Sequence, residues 1–348
     1  MQRTSIEWTH WSVNPFKMRM PDETLINVCL HKSEGCRFCY AEGIVRRWWK
    51  KEWDEFPGYT AALLKLGTPV LVEAEMLAVL RLSERIAKGK ADPSENRIFW
   101  NDMTDEFLEF WPEEFIDKCF AVRALTPNLI HQVLTKRIDR AFDYLSRRDR
   151  HNEIELAADR LLPGKGHPSF GGKHMLPALP LPNVHLGTSV EDQKTADERI
   201  PLLLETPAAV RWISAEPLLG PVNIARVLVE HKLSQPAPRD WTPQSFTVPA
   251  SLDWVVVGGE SGPKARPMHL DWARLLRDQC TDPHLGPIAF FFKQWGEFLP
   301  DQQNPKVNLE GKLPSDYAGA IKVGKKAAGR LLDGREWSEF PKAKEVSQ

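Results

Sequence analysis

The segment DWVVVGGESG, residues 253–262, carries the pattern that decides the fold. An unbroken apolar run at 254–257 ends in two glycines and a glutamate. Apolar runs of this kind are typical of strands buried on both faces, as the strands of a parallel sheet are. The polar residues then lie at the carboxyl end of the predicted strand, where α/β proteins place their binding and catalytic groups.

The same arrangement recurs along the chain. Short apolar runs followed by polar residues are RIFW (97–100), HQVL (131–134), VHLG (184–187), RWIS (211–214) and IAFFF (288–292). Helix-like segments between most of these runs are at 73–89, 113–125 and 271–280. With an opening strand near residues 5–13, the pattern makes about seven β/α units. It predicts an α/β protein with a TIM-like β/α barrel, complete or partial, and a doubly wound open sheet is the alternative.

Two stretches interrupt this alternation of strands and helices. Residues 146–183 are rich in glycine, proline and charge, and residues 226–252 include the proline-rich segment SQPAPRDWTPQSFTVPA. Strand-like segments continue on both sides of each stretch, so we interpret both as insertions and not as domain boundaries. We predict one barrel-like domain over residues 1–300 and a polar C-terminal extension over residues 301–348.

Composition and charge limit the classes of protein to which this chain can belong. Hydrophobic residues make up 42% and charged residues 27% of the chain, as in ordinary globular proteins. The formal net charge is -1, so any contact with nucleic acid has to come from a local basic patch. No apolar stretch approaches the roughly 18 residues that span a bilayer. The opening MQRTSIEWTHW lacks the apolar segment of a secretion signal, and we expect a cytoplasmic protein without a membrane partner.

The five cysteines fall into two groups. Cys119 and Cys280 repeat with apolar residues at helical spacing, which predicts that both lie in the core. The others crowd into NVCLHKSEGCRFCYAEG, residues 27–43, with the spacing C-x6-C-x2-C. An odd number of clustered cysteines does not form the disulfide framework of a small secreted domain. The clustered residues are Cys29, Cys36 and Cys39.

Three clustered thiols indicate a metal centre. Thiolates bind zinc and iron–sulfur clusters, and a C-x2-C pair places two sulfur atoms on one turn of the chain. A closed zinc site needs four ligands, whereas three thiolates on a four-iron cluster leave one iron open to another molecule. The count therefore favours a reactive centre over a purely structural one. The alternative is a structural zinc site that His31 or His10 completes.

The cysteine segment resembles a known signature. Cys29, Cys36 and Cys39, with the aromatic Phe38 before the last ligand, are similar to the cysteine motif of radical S-adenosylmethionine (SAM) enzymes. The first gap holds six residues here instead of three. With the segments CRFCYAE, ISAEPLLGPV, WVVVGGESG and FFFKQWGE, this longer spacing resembles a family of phage and bacterial three-Cys-motif proteins. That family has a poorly defined function and is regarded as related to radical SAM enzymes, and the resemblance covers most of the chain.

The resemblance implies a radical SAM type of barrel and its chemistry. Three cysteines would hold a [4Fe–4S] cluster whose open iron chelates the amino and carboxylate groups of SAM. An electron from a donor protein would then split the sulfonium and produce a 5'-deoxyadenosyl radical. The protein would hold the geometry and exclude water, since the cofactor carries the chemistry.

The resemblance also implies which residues contact the cofactor, with Phe38 among them because it precedes the last cysteine. Gly258, Gly259 and Glu260 resemble the GGE element of radical SAM enzymes, in which the glutamate accepts from the ligand ammonium. A plain tight turn explains the two glycines equally well. Glu191 and Glu216 each follow a strand and are candidates for binding ribose hydroxyls; a helix N-cap or an ion pair is the alternative.

Other polar residues follow predicted strands. Lys293 and Gln294 are expected at the same edge as the carboxylates, and Asp102 and Asp105 are expected to cap the next helix.

Basic residues and tryptophans mark a candidate nucleic-acid surface. The segment RRWWKKEW, residues 46–53, mixes groups that contact phosphates with groups that stack on bases. Its alternative interpretation is a helix whose tryptophans pack on the barrel while its basic residues face water. Two residues of the segment LTKR are candidates for binding a carboxylate or a phosphate. The candidate residues are Arg46, Arg47, Trp48, Trp49, Lys50, Lys136 and Arg137.

The chain contains no P-loop and no readable Ser/His/Asp arrangement, so hydrolase and NTPase functions have little support. The first hypothesis is a radical SAM-type enzyme that acts on DNA or RNA, in modification or repair. An iron–sulfur protein that binds or repairs DNA without cleaving SAM is the second. A zinc-stabilised binding module is the third.

Overall fold

The fold is mixed α/β with a mostly parallel central sheet. A computed structural model describes residues 1–48, 64–163, 175–234, 252–303 and 319–342. In chain order the strands are β1 (Gln2–Arg3), β2 (Trp11–Val13), β3 (Phe16–Arg19), β4 (Leu25–Ile26), β5 (Thr68–Leu71), β6 (Arg97–Trp100), β7 (Ile130–Thr135), β8 (Val184–Ser189), β9 (Val210–Ala215), β10 (Trp254–Gly258), β11 (Ala289–Gln294), β12 (Phe298–Pro300), β13 (Ala320–Lys322), β14 (Leu331–Leu332) and β15 (Arg335–Glu336).

Helices alternate with the main strands, as the sequence predicts. They are α1 (Tyr40–Trp48), α2 (Glu73–Ala87), α3 (Glu113–Ala124), α4 (Ile138–Leu145), α5 (Arg150–Leu161), α6 (Gln193–Glu205), α7 (Ile224–Ser234), α8 (Leu270–Cys280) and α9 (Lys325–Ala328). Charged residues at the ends of α3 complement the helix dipole. Glu113 and Glu114 lie in its first turn, and Arg123 lies in its last turn. Cys119 on α3 and Cys280 on α8 are buried, which confirms that both are core residues.

The central sheet has the strand order β1-β2-β6-β7-β8-β9-β10-β11. β1 is antiparallel to β2, whereas the pairs β2–β6, β6–β7, β9–β10 and β10–β11 are parallel. The opening strand and every predicted apolar run fall in this sheet, so the α/β prediction with parallel strands is confirmed. Among the described residues, no hydrogen-bonded pairing joins β11 back to β1. The closed barrel therefore stays a prediction.

The chain forms two compact units. Among the described residues, unit 1 comprises 1–48, 64–163, 175–187 and 205–210, and unit 2 comprises 188–204, 211–234, 252–303 and 319–342. Each unit has an aromatic core of its own. Unit 1 buries, among others, Trp8, Trp100, Trp111 and Phe107. In unit 2 the rings of Trp212 and Trp254 lie 5.1 Å apart between centroids, and aromatic pairs of this kind add about 0.5–1.5 kcal/mol beyond the area that they bury.

Unit 1 contains a small antiparallel sheet that the sequence pattern does not reveal. β3 pairs with β4 on one side and with β5 on the other. Phe16 and Met18 of β3 are fully buried, whereas Lys17 is only half-buried and Arg19 is exposed, so the strand alternates between core and surface. The cysteine segment follows β4 directly, so this sheet determines where the segment begins.

The predicted C-terminal extension contributes to the packing of unit 2. The amide of Phe292 in β11 donates to the carbonyl of Trp337 (3.0 Å), and Trp254 Nε1 donates to the carbonyl of Glu339 (2.9 Å). The described part of this extension therefore lies against β10 and β11. Of the predicted insertions, residues 164–174 and 235–251 lie outside the described ranges. No helix in the described part of the chain is long and apolar enough to cross a membrane.

Candidate functional site

The cysteine segment lies in unit 1 between β4 and α1. Cys36 ends a short 3-10 turn, Glu34–Cys36, and the amide of Cys39 donates to the carbonyl of Cys36 (3.2 Å). The C-x2-C pair therefore shares one turn, as the spacing predicts. Cys36 is buried, Cys29 and Cys39 are half-buried, and all three are free thiols.

Cys39 lies at the N-terminus of α1. Its carbonyl accepts the first helical hydrogen bond, from the amide of Gly43 (3.1 Å), so Cys39 occupies the N-cap position. Burial raises the pKa of the Cys39 thiol, and hydrogen bonds from the amides of Glu42 and Ala41 oppose that shift. These amides favour the thiolate, because the start of a helix presents unpaired N–H groups and a partial positive charge.

Cys29 has the most perturbed thiol of the segment. Its pKa is raised to about 12, chiefly by burial and next by the carboxylate of Asp105, whereas the guanidinium of Arg137 lowers it. Cys36 and Cys39 also raise this pKa, so the three thiols share one electrostatic environment. A thiol with such a pKa stays protonated at neutral pH until a cation replaces its proton.

Side chains from other elements of unit 1 hold the segment in place. Thr104 Oγ1 donates to the carbonyl of Val28, and Arg137 Nη2 donates to the carbonyl of Leu30 (3.0 Å). The carbonyls on both sides of Cys29 are therefore anchored. Further anchors are a hydrogen bond from Lys17 Nζ to Asn27 Oδ1 (2.7 Å) and one from the Tyr40 hydroxyl to the carbonyl of Asp102.

Asp105 organises the region behind the segment. Its carboxylate accepts from Thr135 Oγ1 (2.7 Å), from the amide of Lys136 (2.9 Å) and from Arg137 Nη1 (3.2 Å). The expectation that Asp102 and Asp105 cap the next helix is wrong. That helix, α3, begins at Glu113, and Asp105 instead joins the end of β6 to the end of β7.

The candidate nucleic-acid residues occupy different environments. Arg46 and Arg47 are exposed in the last turn of α1, and Lys136 is half-buried. Arg137 is 2% exposed, and its donors are directed to Glu109, Asp105 and Leu30 of this chain. Trp49, Lys50 and the side chain of Trp48 lie outside the described residues.

The histidines of the zinc alternative have other partners. His31 Nε2 lies 2.7 Å from Glu42 Oε2, and both ring nitrogens of His10 lie within hydrogen-bond distance of Arg97. In the residues that the structure describes, no group of three or more His, Cys, Asp and Glu side chains is arranged so that it could hold a metal ion. Phe38 is half-buried, and the guanidinium carbon of Arg37 lies 5.4 Å from the centroid of its ring.

The predicted carboxylates of unit 2 are each paired with a cation of that unit. Arg199 Nη1 donates to Glu191 Oε2 (3.1 Å), and both side chains are buried. Arg266 binds both carboxylate oxygens of Glu260, at 2.8 and 2.6 Å. These ion pairs match the alternative interpretation for Glu191 and place an internal cation where the resemblance implies a ligand ammonium at Glu260.

Glu216 forms a third pair at the ends of β9 and β11. Lys293 Nζ contacts both of its carboxylate oxygens at 2.8 Å, and Gln294 Nε2 donates to Oε1 (3.1 Å). Lys293 and Gln294 therefore lie at the same strand edge as Glu216, as the sequence predicts. The pair keeps some exposure, since the side chains of Lys293 and Glu216 are 12% and 19% accessible.

Close packing accounts for the two glycines that follow β10. A Cβ atom on Gly258 would lie 2.9 Å from Glu216 Cδ, and one on Gly259 would lie 2.0 Å from the carbonyl oxygen of Trp295. Each position thus needs glycine because another part of the same unit approaches it closely. Close contacts explain the two glycines, since residues 259–261 form no turn in the structure.

Of the side chains that anchor the cysteine segment, the sequence reasoning named only Arg137, and for a different role. Thr104 lies in the polar run after RIFW, and that position was the only available signal for it. Lys17, Asn27 and Tyr40 carry no recognisable pattern, because their role depends on which segments the fold brings together.

Comparison with known protein families gives one match. Residues 3–341 match a family described as a protein of unknown function, DUF5131. The chain belongs to this family. Comparison with curated proteins and with solved structures gave no match. The family match extends over nearly the whole chain, as the resemblance of the sequence segments implies, and it assigns no activity.

Proposed function

We propose that this DUF5131 protein is an iron–sulfur protein that holds a [4Fe–4S] cluster through Cys29, Cys36 and Cys39 and uses it as a radical SAM-type enzyme. One observation supports this most strongly. The cysteine segment is held from both sides of Cys29 by Thr104 and Arg137, which belong to other elements of unit 1. Contacts within unit 1 therefore hold the backbone on both sides of this candidate ligand.

Three thiols on one segment are the residue types that a polynuclear cluster takes as ligands. Each thiolate of a four-iron cluster binds a different iron, so the sulfur atoms do not have to meet at one point. The guanidinium of Arg137 and the amides at the start of α1 stabilise negative charge at Cys29 and Cys39, against the effect of burial. Half-buried thiols with such positive neighbours are suited to binding metal as thiolates.

Cys29, Cys36 and Cys39 would hold the cluster, which would supply the electron for cleavage of SAM, and the chain itself would supply position and shielding. Thr104 and Arg137 fix the backbone beside Cys29, and the helix cap fixes Cys39. The parallel strands of the central sheet, with polar residues after their carboxyl ends, support a β/α barrel of the radical SAM type, complete or partial.

A nucleic acid is the proposed substrate class, in DNA modification or repair. α1 begins directly after Cys39 and exposes Arg46 and Arg47 in its last turn, so a phosphate backbone can approach one end of the cysteine segment. Binding that depends on these two residues should weaken steeply as salt is added.

Anaerobic metal analysis tests the proposal. We would reconstitute the wild-type chain and two variants, Cys36→Ala and Cys119→Ala, and measure iron and sulfide. The wild-type chain should bind about four iron atoms. Cys36→Ala should lose most of that iron, and Cys119→Ala, which removes a core thiol of the same unit, should keep it.

Addition of dithionite and SAM then tests turnover. Formation of 5'-deoxyadenosine supports the enzyme. An intact cluster that forms no nucleoside would reject SAM cleavage and leave an iron–sulfur protein that binds DNA. One zinc atom and no iron would select the zinc-stabilised module instead.

A further inference from the structure

Arg137 is held by three different groups of unit 1. Its Nε donates to Glu109 Oε2 (2.9 Å), its Nη1 to Asp105 Oδ2 (3.2 Å) and its Nη2 to the carbonyl of Leu30 (3.0 Å). Leu30 is the residue after Cys29. One buried guanidinium therefore joins the end of β7 to the backbone beside a candidate cluster ligand.

We propose that Arg137 is a positioning residue for the cluster: it holds the backbone at Cys29, and its positive charge makes the cluster easier to reduce. This inference rests on the proposed function, because it assigns a role toward the cluster that the three cysteines would hold. It also replaces phosphate binding as the role of this arginine.

The charge argument follows from burial. Reduction transfers one electron from the external reductant to the cluster and so adds one negative charge, which a nearby cation stabilises. Arginine keeps its charge under all ordinary conditions, and its field is screened least where water is excluded. Net charge, hydrogen bonding and exposure are the features by which proteins set the potential of iron–sulfur clusters.

The two carboxylates around Arg137 do not cancel this effect equally. The side chain of Glu109 is 58% accessible, so water screens its charge, whereas Asp105 is buried. Removing the guanidinium would leave the Asp105 charge uncompensated beside Cys29. The cluster should then be harder to reduce.

The position and the charge of Arg137 can be separated by substitution. Arg137→Lys keeps a positive charge but cannot reproduce three hydrogen bonds from one planar group. Arg137→Met removes both the charge and the hydrogen bonds. The first variant thus tests the hold on the backbone, and the second tests the hold and the charge together.

Arg150 is a matched control in the same unit. It is also buried, and it too donates to two carboxylates and one carbonyl, namely Asp117 (2.7 Å), Glu113 (2.8 Å) and the carbonyl of Tyr144 (3.0 Å). None of these partners neighbours a cysteine of the segment. Arg150→Met should therefore cost comparable stability without a specific effect on a cluster.

The experiment compares the reconstituted wild-type chain with Arg137→Met, Arg137→Lys and Arg150→Met under anaerobic conditions. A redox titration followed by electron paramagnetic resonance measures the midpoint potential of the cluster. Release of iron to a chelator measures how firmly it is held. Circular dichroism and thermal unfolding show which variants are folded.

We expect Arg137→Met to lower the midpoint potential and to release iron about 10- to 100-fold faster. Arg137→Lys should keep the wild-type potential but still release iron faster, and Arg150→Met should change neither property. An unchanged potential in Arg137→Met, or an equal shift in Arg150→Met, would overturn the inference. If Arg137→Met does not fold, faster iron release from a folded Arg137→Lys supports the hold on the backbone, and unchanged release refutes it. A wild-type chain that takes up no iron rejects the proposed function itself, and this inference with it.

Discussion

The strand ends of the two units use polar residues in different ways. In unit 2, Glu191, Glu216 and Glu260 each contact a cation of the same unit, so their charges are balanced within the protein. In unit 1, Thr104 and Arg137 instead direct donors to backbone carbonyls of the cysteine segment. Polar residues at strand ends can thus either neutralise one another or hold a loop in place.

The largest expected effect comes from a substitution that removes one charge of a buried ion pair in unit 2. Glu191→Gln leaves the buried cation of Arg199 without its carboxylate, which should cost about 3–5 kcal/mol of unfolding free energy. Replacing both residues with leucine should recover most of this loss, because no buried charge is then left alone. Urea denaturation measures the stability. A loss below about 1 kcal/mol in the single variant would show that the pair is not needed to balance charge.

The reactivity of Cys29 as a function of pH tests the electrostatic environment of the cysteine segment in unit 1. With a pKa of about 12, Cys29 in the metal-free chain should react with iodoacetamide about 1,000-fold more slowly at pH 8 than a free cysteine does. Its rate should rise about tenfold per pH unit up to pH 10, where the rate of a free cysteine has levelled off.

The sign of the linked stability change follows from the same pKa. Because folding raises this pKa, the folded state favours the protonated thiol. Its contribution to stability is complete below about pH 8.5 and is lost as the pH rises toward 12. Mass spectrometry after timed labelling measures the Cys29 rate separately from the other thiols. A rate that levels off near pH 8.5 would contradict the raised pKa.

The sequence predicts the repeated elements of this fold better than its polar contacts. Parallel strands such as β10 are easy to recognise in the sequence, because the strand is buried along its whole length and its residues are therefore apolar. The cysteines stand out because thiol clusters are rare and their spacing is tied to ligand geometry. The small sheet around β3 is harder to see, since its strands are short and Lys17 interrupts the apolar pattern.

Contacts between distant residues account for what the sequence could not show. Glu260 and Arg137 both look like ligand-binding residues, because each follows a buried strand. Arg266, which pairs with Glu260, is only six residues away, but the Leu30 carbonyl that accepts from Arg137 becomes its neighbour only in the folded chain. A single sequence carries the type of a residue but not the distance to its partner.

A smaller effect is expected from the anchor at Thr104. Thr104→Val keeps the shape of the side chain but leaves the carbonyl of Val28 without its donor, at a cost of about 1–3 kcal/mol if no water replaces it. The loss should be local, so amides of residues 27–36 should exchange hydrogen faster while the rest of unit 1 keeps its protection. Thr104→Ser retains the hydroxyl and serves as the control. Equal exchange in both variants would show that this anchor does not hold the segment.

The smallest stability effect is expected from Glu216→Gln. This substitution tests whether the Glu216–Lys293 pair has only a structural role. Glu216 and Lys293 keep more accessible surface than Glu191 and Arg199, so water can solvate the charge left behind in Glu216→Gln. The loss should be about 1 kcal/mol, well below that of Glu191→Gln. Equilibrium dialysis with SAM then separates two roles for the carboxylate. If Glu216 binds a ribose hydroxyl, affinity for SAM should fall about tenfold while the fold persists. Unchanged affinity would assign the residue to its ion pair alone.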